Sequence, residues 1–312
     1  MYKKMDMDLM KLMEEFGTEG QCRDRLTSLR WPDGVKCPRC ESDKVRNSYT
    51  RFQYDCGTCG YQFSATAGTI FHDSHLPLPK WFAAIYLIVE SKKGMSANQM
   101  KRTLHISYKT AWYLCHRIRA AMRQAMTPTM KGTVEIDETY IGGKVRGKGK
   151  GYVGNKAIVA GIRERGGRIE LEVVPSNDKP TLQAFVKANL APDAKAIYTD
   201  EHPSYKGMDM KGAQHESVNH KAEEWVRGVV HTNSIESIWS LVDRSIVGSF
   251  HKVSVKHLDA YLDEVEWRQN NKENQYLFRD TLKKLIASDN LPFSQLIGQR
   301  GNVQGDLWGQ HS

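Results

Sequence analysis

Two Cys-x-x-Cys pairs near the start of the chain impose the strongest constraint on its fold. The first pair is Cys37 and Cys40, and the second, after fifteen intervening residues, is Cys56 and Cys59. A tight turn presents two thiolates from each pair, and four thiolates complete a tetrahedral shell around zinc. Because a closed shell leaves no position for water or substrate, such a zinc ion is structural. The spacing therefore predicts a zinc ribbon, with short strands between and after the pairs.

Composition limits the number of domains, the cellular compartment and the kind of partner. The chain has 312 residues, of which 40% are hydrophobic and 26% charged, as expected for a globular protein of two or three domains. The N-terminus lacks the apolar core of a signal peptide, and no stretch approaches the roughly 20 apolar residues of a membrane span. We therefore expect a cytoplasmic protein without a membrane partner, whose cysteines bind metal. The net charge of +9 favours a polyanionic partner, most often nucleic acid.

A helix–turn–helix pattern follows the ribbon. Apolar periodicity predicts a short helix over 96–104, a turn at 105–107 and a longer helix over 108–122. The second helix carries a run of basic residues, namely Lys109, His116, Arg117, Arg119 and Arg123. We interpret it as a recognition helix that enters the major groove, with Lys109 and Arg117 contacting DNA. The alternative is a helical hairpin whose basic face is only solvated.

A strand that carries carboxylates lies in the middle of the chain. Residues 134–141 read Val-Glu-Ile-Asp-Glu-Thr-Tyr-Ile, which is typical of a buried strand, and two glycines follow. An acid in an apolar strand is costly to bury unless it is paired or binds a metal, so Asp137 is a candidate functional residue. Because side chains alternate along a strand, Glu135 shares a face with Asp137, and Glu138 is expected to point away. We interpret Glu135 as structural.

A basic, glycine-rich loop follows this strand. Its glycines let the backbone approach a phosphate, and its cations neutralise phosphates without reading the base sequence. The predicted DNA contacts in this loop are Lys144, Arg146, Lys148 and Lys150. The alternative is a solvated hairpin tip without a ligand.

The elements that come next predict a mixed sheet with a second acid. Strands are predicted at 156–163 and 169–174, a helix at 180–190, and an apolar strand at 196–200 that ends on Asp200. Three strands, a helix and a strand ending on aspartate resemble the order of elements in a ribonuclease-H-like domain. That fold places its acids on adjacent strands, so Asp200 is the expected partner of Asp137.

A helix that opens near residue 233 supplies the third candidate. Glu236 follows Asp200 after 35 intervening residues, and Asn233 precedes it by three, on the same side of the helix. Glu236 is a further acidic candidate, and the resemblance described below implies that it is the third acid of the site. These residues also fit a capping box, in which Asn233 caps the helix and Glu236 reaches back to its amide. Trp239, farther along this helix, is interpreted as core packing.

Taken together, these motifs resemble DDE transposases of bacterial insertion sequences, in the ISXO2-like branch that carries a zinc ribbon. The paired cysteines, the strand at 134–140, the segments 198–202 and 231–236, and the stretch 251–271 match that pattern. There is one departure. Where the family often has a lysine seven residues after the third acid, this chain has Asp243 beside Arg244, so Arg244 is the expected phosphate contact.

The resemblance implies metal-dependent DNA cleavage and strand transfer at the terminal inverted repeats of an insertion sequence. Asp137, Asp200 and Glu236 would bind two Mg²⁺ ions, and Asn233 is the alternative third ligand, because some members of this branch use asparagine. The implied partners are double-stranded DNA, as terminal repeats and as target, and further copies of the chain in a homodimer or larger assembly. Such a protein would be associated with the bacterial nucleoid.

The predicted architecture is multidomain. Residues 1–66 hold N-terminal helices and the zinc ribbon, 67–128 the helix–turn–helix region, 129–290 an α/β ribonuclease-H-like catalytic domain with a mixed sheet, and 291–312 a disordered tail. Two other functions stay open from the sequence. One is a DNA-binding regulator that has lost catalysis, and the other is a hydrolytic nuclease of the same fold that cleaves without joining.

Overall fold

The computed structural model describes residues 7–48, 52–123, 130–142, 156–207, 213–218 and 228–298. These residues separate into two units, the first within Met1–Met122 and Glu273–Gln299 and the second within Arg123–Lys272. The prediction placed residues 1–66 and 67–128 in separate domains and extended the catalytic domain to 290. The structure instead joins the ribbon and the following helices in one unit, and residues 273–298 belong to that unit as well.

Helices make up most of the first unit and accompany the sheet of the second. They are α1 (Leu9–Phe16), α2 (Glu19–Arg30), α3 (Leu78–Glu90), α4 (Ala97–Leu104), α5 (Tyr108–Met122), α6 (Lys179–Asn189), α7 (Asn233–Ser245), α8 (Val255–Asn270), α9 (Leu277–Ala287) and α10 (Phe293–Gly298). Helix α10 lies in the segment predicted to be disordered, and residues 299–312 lie outside the described part of the chain. No helix among the described residues is long and apolar enough to cross a membrane.

Aromatic packing explains why α9 belongs to the first unit. The ring centroid of Phe278 in α9 lies 6.1 Å from those of Phe16 in α1 and Phe82 in α3, and 6.2 Å from that of Tyr86. Burying a phenylalanine side chain contributes about 1.5–3 kcal/mol, so such contacts decide where a helix docks. They join residues far apart in sequence, and a prediction made element by element does not reveal them.

The ribbon is a small antiparallel sheet beside the cysteines. Its strands are β1 (Val45–Ser48), β2 (Gln53–Cys56) and β3 (Gln62–Phe63), paired in that order. The rings of Trp31, Tyr54 and Phe63 lie within 5.9 Å of one another, measured between centroids. A sheet this small buries little apolar surface, which is why such folds depend on a structural metal. The short strands predicted between and after the cysteine pairs are present.

A five-stranded mixed sheet forms the second unit. Its strands are β4 (Thr133–Ile141), β5 (Ala157–Glu164), β6 (Ile169–Val174), β7 (Ala196–Asp200) and β8 (Gln214–Val218), in the order β6-β5-β4-β7-β8. Strands β4, β5 and β6 are antiparallel neighbours, whereas β7 runs parallel to β4 and β8 parallel to β7. The predicted mixed sheet is confirmed. Strand β8 was not predicted, because its sequence, Gln-His-Glu-Ser-Val, is mostly polar.

Opposite faces of this sheet pack against different helices. Val134 and Ile136 of β4 belong to the same core as Leu182 of α6. On the other face, Trp239 of α7 packs with Val159 of β5. Because side chains alternate along β4, the residues on either side of Ile136 face α7. The strand therefore carries Glu135 and Asp137 toward the helix that holds the third predicted acid.

Candidate functional site

Two acids lie just beyond the last residue pair that joins the adjacent parallel strands β4 and β7. The pairing between β4 and β7 ends with Glu135 opposite Tyr198. Asp137 and Asp200 each lie two residues beyond this pair. Parallel strands have their carboxyl ends at the same edge of the sheet, and in α/β sheets this is where ligands bind. The register therefore brings Asp137 and Asp200 to one edge.

Glu138 joins these two acids. Carboxylate oxygens of Asp137, Glu138 and Asp200 all lie within 4.8 Å of one another. The prediction that Glu138 points away from the site was therefore wrong. Alternation does place Glu138 on the face opposite Asp137, but β4 has passed its last pair with β7 at this point, and the longer glutamate side chain reaches the shared edge. Three converging carboxylates are a donor set that suits a hard divalent cation.

Hydrogen bonds hold both oxygens of Asp137. Its Oδ1 accepts from the backbone N–H of Glu138, and its Oδ2 accepts from the indole Nε1–H of Trp239, each at 2.9 Å. Burial raises the pKa of Asp137 to about 7; the Trp239 bond opposes this shift, and the negative charge of Asp200 adds to it. Without a cation, Asp137 therefore changes charge near neutral pH. Trp239 does pack in the core, as predicted, but it also contacts the site.

Glu138 and Asp200 are each held by a further donor. The hydroxyl of Tyr205 donates to Oε2 of Glu138 at 2.7 Å, and the backbone N–H of His202 donates to Oδ1 of Asp200 at 2.9 Å. The His202 ring lies beside them, with Nε2 3.6 Å from Oε1 of Glu138. Burial and the charge of Glu138 raise the pKa of Tyr205 well above its ordinary value, so the hydroxyl keeps its proton. Sequence reasoning missed Tyr205, because no motif spacing links it to the acids.

The third predicted acid lies in the first turn of α7. Thr232 is the N-cap residue and Asn233 the first helical residue, so the cap expected at Asn233 lies one residue earlier. The Thr232 hydroxyl donates to Oε1 of Glu236 at 2.9 Å. Among the described residues, the converging carboxylates include Glu138 and not Glu236. The assignment of Glu236, or of Asn233, as a metal ligand stays a prediction.

Glu135 joins β4 to the N-terminus of α7. Its Oε2 accepts from the backbone N–H groups of Ser234 and Ile235 at 2.7 and 3.0 Å, and its Oε1 accepts from Nε of Arg165 at 2.6 Å. The side chain is fully buried. A carboxylate at a helix N-terminus satisfies free N–H groups and complements the helix dipole. These contacts give Glu135 a structural role and hold α7 beside the strand that carries Asp137.

The four cysteines of the ribbon could bind a zinc ion. Their Sγ atoms all lie within 4.8 Å of one another, with Cys37 3.7 Å from Cys59 and Cys40 3.6 Å from Cys56. Four sulfurs placed tetrahedrally at about 2.3 Å from zinc are separated by about 3.8 Å. Backbone N–H groups, foremost that of Cys59, lower the pKa of Cys56 to about 6 and so favour the thiolate that zinc binds, whereas hydrogen bonds with the other cysteines, foremost Cys59, raise the pKa of Cys40. Sulfur spacing and thiolate chemistry both fit the predicted structural site.

Of the predicted DNA contacts, Lys109 and Arg244 are exposed. The Nζ atom of Lys109 lies 4.8 Å from the centroid of the Phe293 ring, and Arg244 donates to Oγ of Ser240 at 2.8 Å. Neither contact buries the cation, so both remain accessible to a phosphate. The four basic residues predicted in the loop after β4 lie outside the described part of the chain; they are Lys144, Arg146, Lys148 and Lys150.

Arg117 occupies a different environment from the one predicted. It is 3% exposed, and its guanidinium donates to the backbone carbonyl of His72 at 2.8 Å and to Oδ1 of Asn290 at 3.2 Å. This burial argues against a DNA contact. His116 and Arg119 are buried as well, so α5 does not present the continuous basic face expected of a recognition helix. The predicted basic face is interrupted because other parts of the first unit pack against it.

An N-terminal unit with four converging cysteines, and a mixed sheet with converging carboxylates, are the features of a zinc-ribbon transposase of the DDE type. Family comparisons agree with this class. Residues 129–270 match the ISXO2-like transposase domain, and residues 17–62 match the transposase zinc-ribbon domain. The chain belongs to the ISXO2-like transposase family, as the resemblance predicted.

Two relatives illustrate the extent of the similarity. An uncharacterized protein in the transposable element ISH50 of Halobacterium salinarum is 31% identical over 283 residues, which span 83% of this chain and 94% of the relative. An uncharacterized transposase-like protein of Haemophilus influenzae is 31% identical over 101 residues, or 32% of this chain and 80% of the relative. No solved structure matches the chain significantly.

Proposed function

We propose that the protein is an active transposase that cleaves DNA at the terminal inverted repeats of an insertion sequence and joins the cut ends to target DNA. The observation that carries this proposal is the convergence of Asp137 and Asp200 just beyond the last residue pair between the parallel strands β4 and β7, in a transposase-family domain. Both acids are present and oriented by hydrogen bonds, which favours a catalytic protein over a regulator that has lost its chemistry.

The sheet supports a ribonuclease-H-like assignment for the second unit. Three antiparallel strands are followed by a helix and by a strand that pairs in parallel with the first, at the centre of the sheet. This topology places β4 and β7 side by side, so that the acids just beyond their last residue pair lie close together. Helix α7, anchored by Glu135, brings Asn233 and Glu236 to the same sheet.

The donor chemistry of the site fits Mg²⁺. Asp137 and Asp200, with Glu236 or Asn233 from α7, would hold two such ions through hard oxygen atoms. When bound, Mg²⁺ stabilises charge on phosphate oxygens and on the attacking and leaving oxygens of the DNA. The protein's own part is to keep these carboxylates oriented. It does so through the backbone N–H groups of Glu138 and His202 and through the indole of Trp239.

DNA would be held by residues outside the acidic edge. Lys109 and Arg244 are exposed cations, and the loop after β4 adds Lys144, Arg146, Lys148 and Lys150 to the chain's positive charge. The zinc ribbon of the first unit would take part in recognising the terminal repeats. Joining two DNA ends in one reaction requires two sites, so the working species is a homodimer or a larger assembly on DNA.

A strand-transfer assay tests this function. Labelled duplexes that end in the terminal repeats flanking the gene are incubated with supercoiled target DNA, Mg²⁺ and the full-length protein. We expect cleaved repeat ends and labelled joined products, and we expect Asp137→Ala and Asp200→Ala to abolish both while still binding the duplex. Glu201→Ala, which removes the exposed acid next to Asp200, is the matched control and should retain activity.

The other outcomes of this assay are equally informative. Absence of cleavage by the wild-type protein would overturn the enzyme assignment and favour a DNA-binding regulator. Cleavage without joining would identify a hydrolytic nuclease of the same fold. Loss of DNA binding in the Asp137→Ala or Asp200→Ala protein would show that these acids are structural.

A further inference from the structure

We propose that Glu138 is a third carboxylate ligand of the metal centre formed by Asp137 and Asp200, and that Tyr205 holds it in position. This inference rests on the proposed function, because it adds a residue to the same centre. It differs from the predicted set of acids, in which the third ligand comes from α7. It also reassigns a residue whose side chain was expected to face away from the site.

Distances support shared coordination. The ligand oxygens of Asp137, Glu138 and Asp200 lie within 4.8 Å of one another. Two oxygens on opposite sides of one Mg²⁺ ion are about 4.2 Å apart, since each Mg–O distance is about 2.1 Å. The three carboxylates are therefore close enough to share a cation with only small side-chain movements.

Burial supports the presence of a cation more directly. The side chain of Glu138 is 5% exposed. Among the residues that the structure describes, no lysine or arginine forms an ion pair with Asp137, Glu138 or Asp200; the His202 ring, 3.6 Å from Oε1 of Glu138, is charged only if protonated. Carboxylates that are largely removed from water cost free energy unless a positive charge compensates them. A divalent cation at this edge would provide that charge.

Tyr205 prepares Glu138 for this role. Its hydroxyl donates to Oε2 of Glu138 at 2.7 Å, and its ring is 1% exposed within the core shared by β4 and α6. Carboxylates that bind metals are commonly oriented by such a second hydrogen bond. Because Tyr205 is buried, the bond holds one oxygen in place and leaves the lone pairs of Oε1 for the cation. Glu138 thus gives the centre a carboxylate that does not depend on the position of α7.

Metal binding without DNA tests the proposal. Mn²⁺ serves as the probe, because electron paramagnetic resonance distinguishes free from bound ions directly. The full-length protein is used with its zinc retained. We expect Glu138→Gln to weaken Mn²⁺ binding at least tenfold and Tyr205→Phe to weaken it about 10- to 100-fold, the usual range for a residue that orients a ligand. Asp137→Asn should weaken binding strongly. Glu201→Gln, the neighbouring exposed acid, should bind Mn²⁺ as the wild type does.

The outcomes separate this inference from the proposed function. Wild-type affinity in Glu138→Gln, together with weak binding in Asp137→Asn, overturns the role of Glu138 and leaves the metal-dependent transposase intact. Absence of Mn²⁺ binding by the wild-type protein overturns both. If Glu138→Gln does not fold, as judged by circular dichroism, Tyr205→Phe decides the matter, since it keeps the aromatic packing and removes only the hydroxyl. Unchanged affinity in that variant contradicts the proposal.

Discussion

The indole Nε1–H of Trp239 donates a hydrogen bond to Oδ2 of Asp137 at 2.9 Å. This bond connects the middle of α7 to the acidic strand β4. Together with Glu135, which binds the first turn of the same helix, it gives α7 two attachments to the strand that carries the candidate catalytic acid. The residues that orient the site and the residues that pack the core are therefore partly the same.

Replacing Trp239 by phenylalanine should shift the pH dependence of metal binding. The hydrogen bond from Trp239 favours the ionised form of Asp137, so its loss should raise the pKa of this acid beyond about 7. We expect Mn²⁺ binding by the Trp239→Phe protein to rise at higher pH than in the wild type. Titrations between pH 6 and pH 9 measure this midpoint, with Trp112→Phe in the first unit as control. An unchanged midpoint would show that the indole only packs.

Replacing Asp137 by asparagine should change how stability depends on pH in buffer without divalent metal. Burial raises the pKa of Asp137 from 3.8 to about 7, so the folded state holds its proton more tightly than the unfolded state does. The free energy of unfolding of the wild type therefore falls as pH rises from about 4 to about 7. The total loss is at most about 1.4 kcal/mol for each unit by which the pKa of Asp137 differs between the folded and unfolded states. Asp137→Asn lacks this loss, so its melting temperature relative to the wild type should increase from pH 4 to pH 8.

Thermal melts at several pH values, without chelator so that zinc is retained, measure this difference. Added Mg²⁺ should reduce the difference in melting temperature between the two proteins at pH 8, because the cation stabilises only the protein with an ionised Asp137. A constant difference between the two proteins across this pH range would contradict the proposed titration.

Replacing Glu135 by glutamine should destabilise the second unit. The change removes the negative charge that faces Arg165 and the N-terminus of α7, and breaking a buried ion pair by removing one partner costs about 3–5 kcal/mol. Urea unfolding monitored by tryptophan fluorescence measures the loss. The double variant Glu135→Gln/Arg165→Met should recover only part of it: no guanidinium charge then lacks a facing carboxylate, but the hydrogen bonds from Arg165 to the backbone carbonyls of Val229 and His231 are lost. A single variant as stable as the wild type would mean that the buried pair contributes little.

Replacing Gly161 by alanine should disturb the site through Trp239. A Cβ atom there would lie 2.5 Å from Cη2 and 2.6 Å from Cζ2 of Trp239, so the indole would have to move. Overpacking of this kind typically costs about 1–3 kcal/mol, and it should weaken Mn²⁺ binding by displacing the donor to Asp137. Gly248→Ala is the control, since its Cβ meets no atom within 4 Å. Equal metal affinity in the Gly161→Ala and wild-type proteins would argue against coupling through Trp239.

Replacing Cys37 by serine should release zinc and unfold the ribbon. The Cys37 sulfur lies 3.7 Å from that of Cys59, as expected for two ligands of one ion, and structural zinc contributes folding free energy directly. A chromogenic chelator should detect about one zinc per wild-type chain and much less in the variant. Binding to terminal-repeat DNA should weaken in parallel. Cys115→Ala, at a buried cysteine outside the ribbon, should keep its zinc.

Patterns within short segments predicted much of the fold. The cysteine spacing predicted the ribbon, and alternation of apolar residues predicted β4 and its neighbours in order. Helix α5 shows the limit of such patterns. Its span matches the prediction, but Arg117 is buried against His72 and Asn290, because distant segments pack over a face that the sequence suggested was solvated. Charge on a helix is read from sequence, whereas exposure depends on what packs beside it.

The site shows the same division. Asp137 and Asp200 could be found from sequence, since each acid ends or interrupts an apolar strand. The resemblance to a known family then assigned both to one site. Glu138 was assigned to the wrong environment, because alternation gives the direction of a side chain but not where strand pairing ends. Tyr205 and Trp239 offered no signal of their contacts with the acids, which depend on how α6 and α7 pack on the sheet.

The sequence by itself indicated the family, the zinc ribbon, and Asp137 and Asp200 as candidate site residues. It could do so because spacing, periodicity and the cost of burying charge act within short segments. Only the tertiary structure decided that Glu138 meets these aspartates, that Glu135 anchors α7, and that residues 273–298 belong to the first unit. Those relationships depend on strand register and on contacts between residues far apart in the chain. Neither is encoded in any single motif, so they emerge only when the whole chain packs.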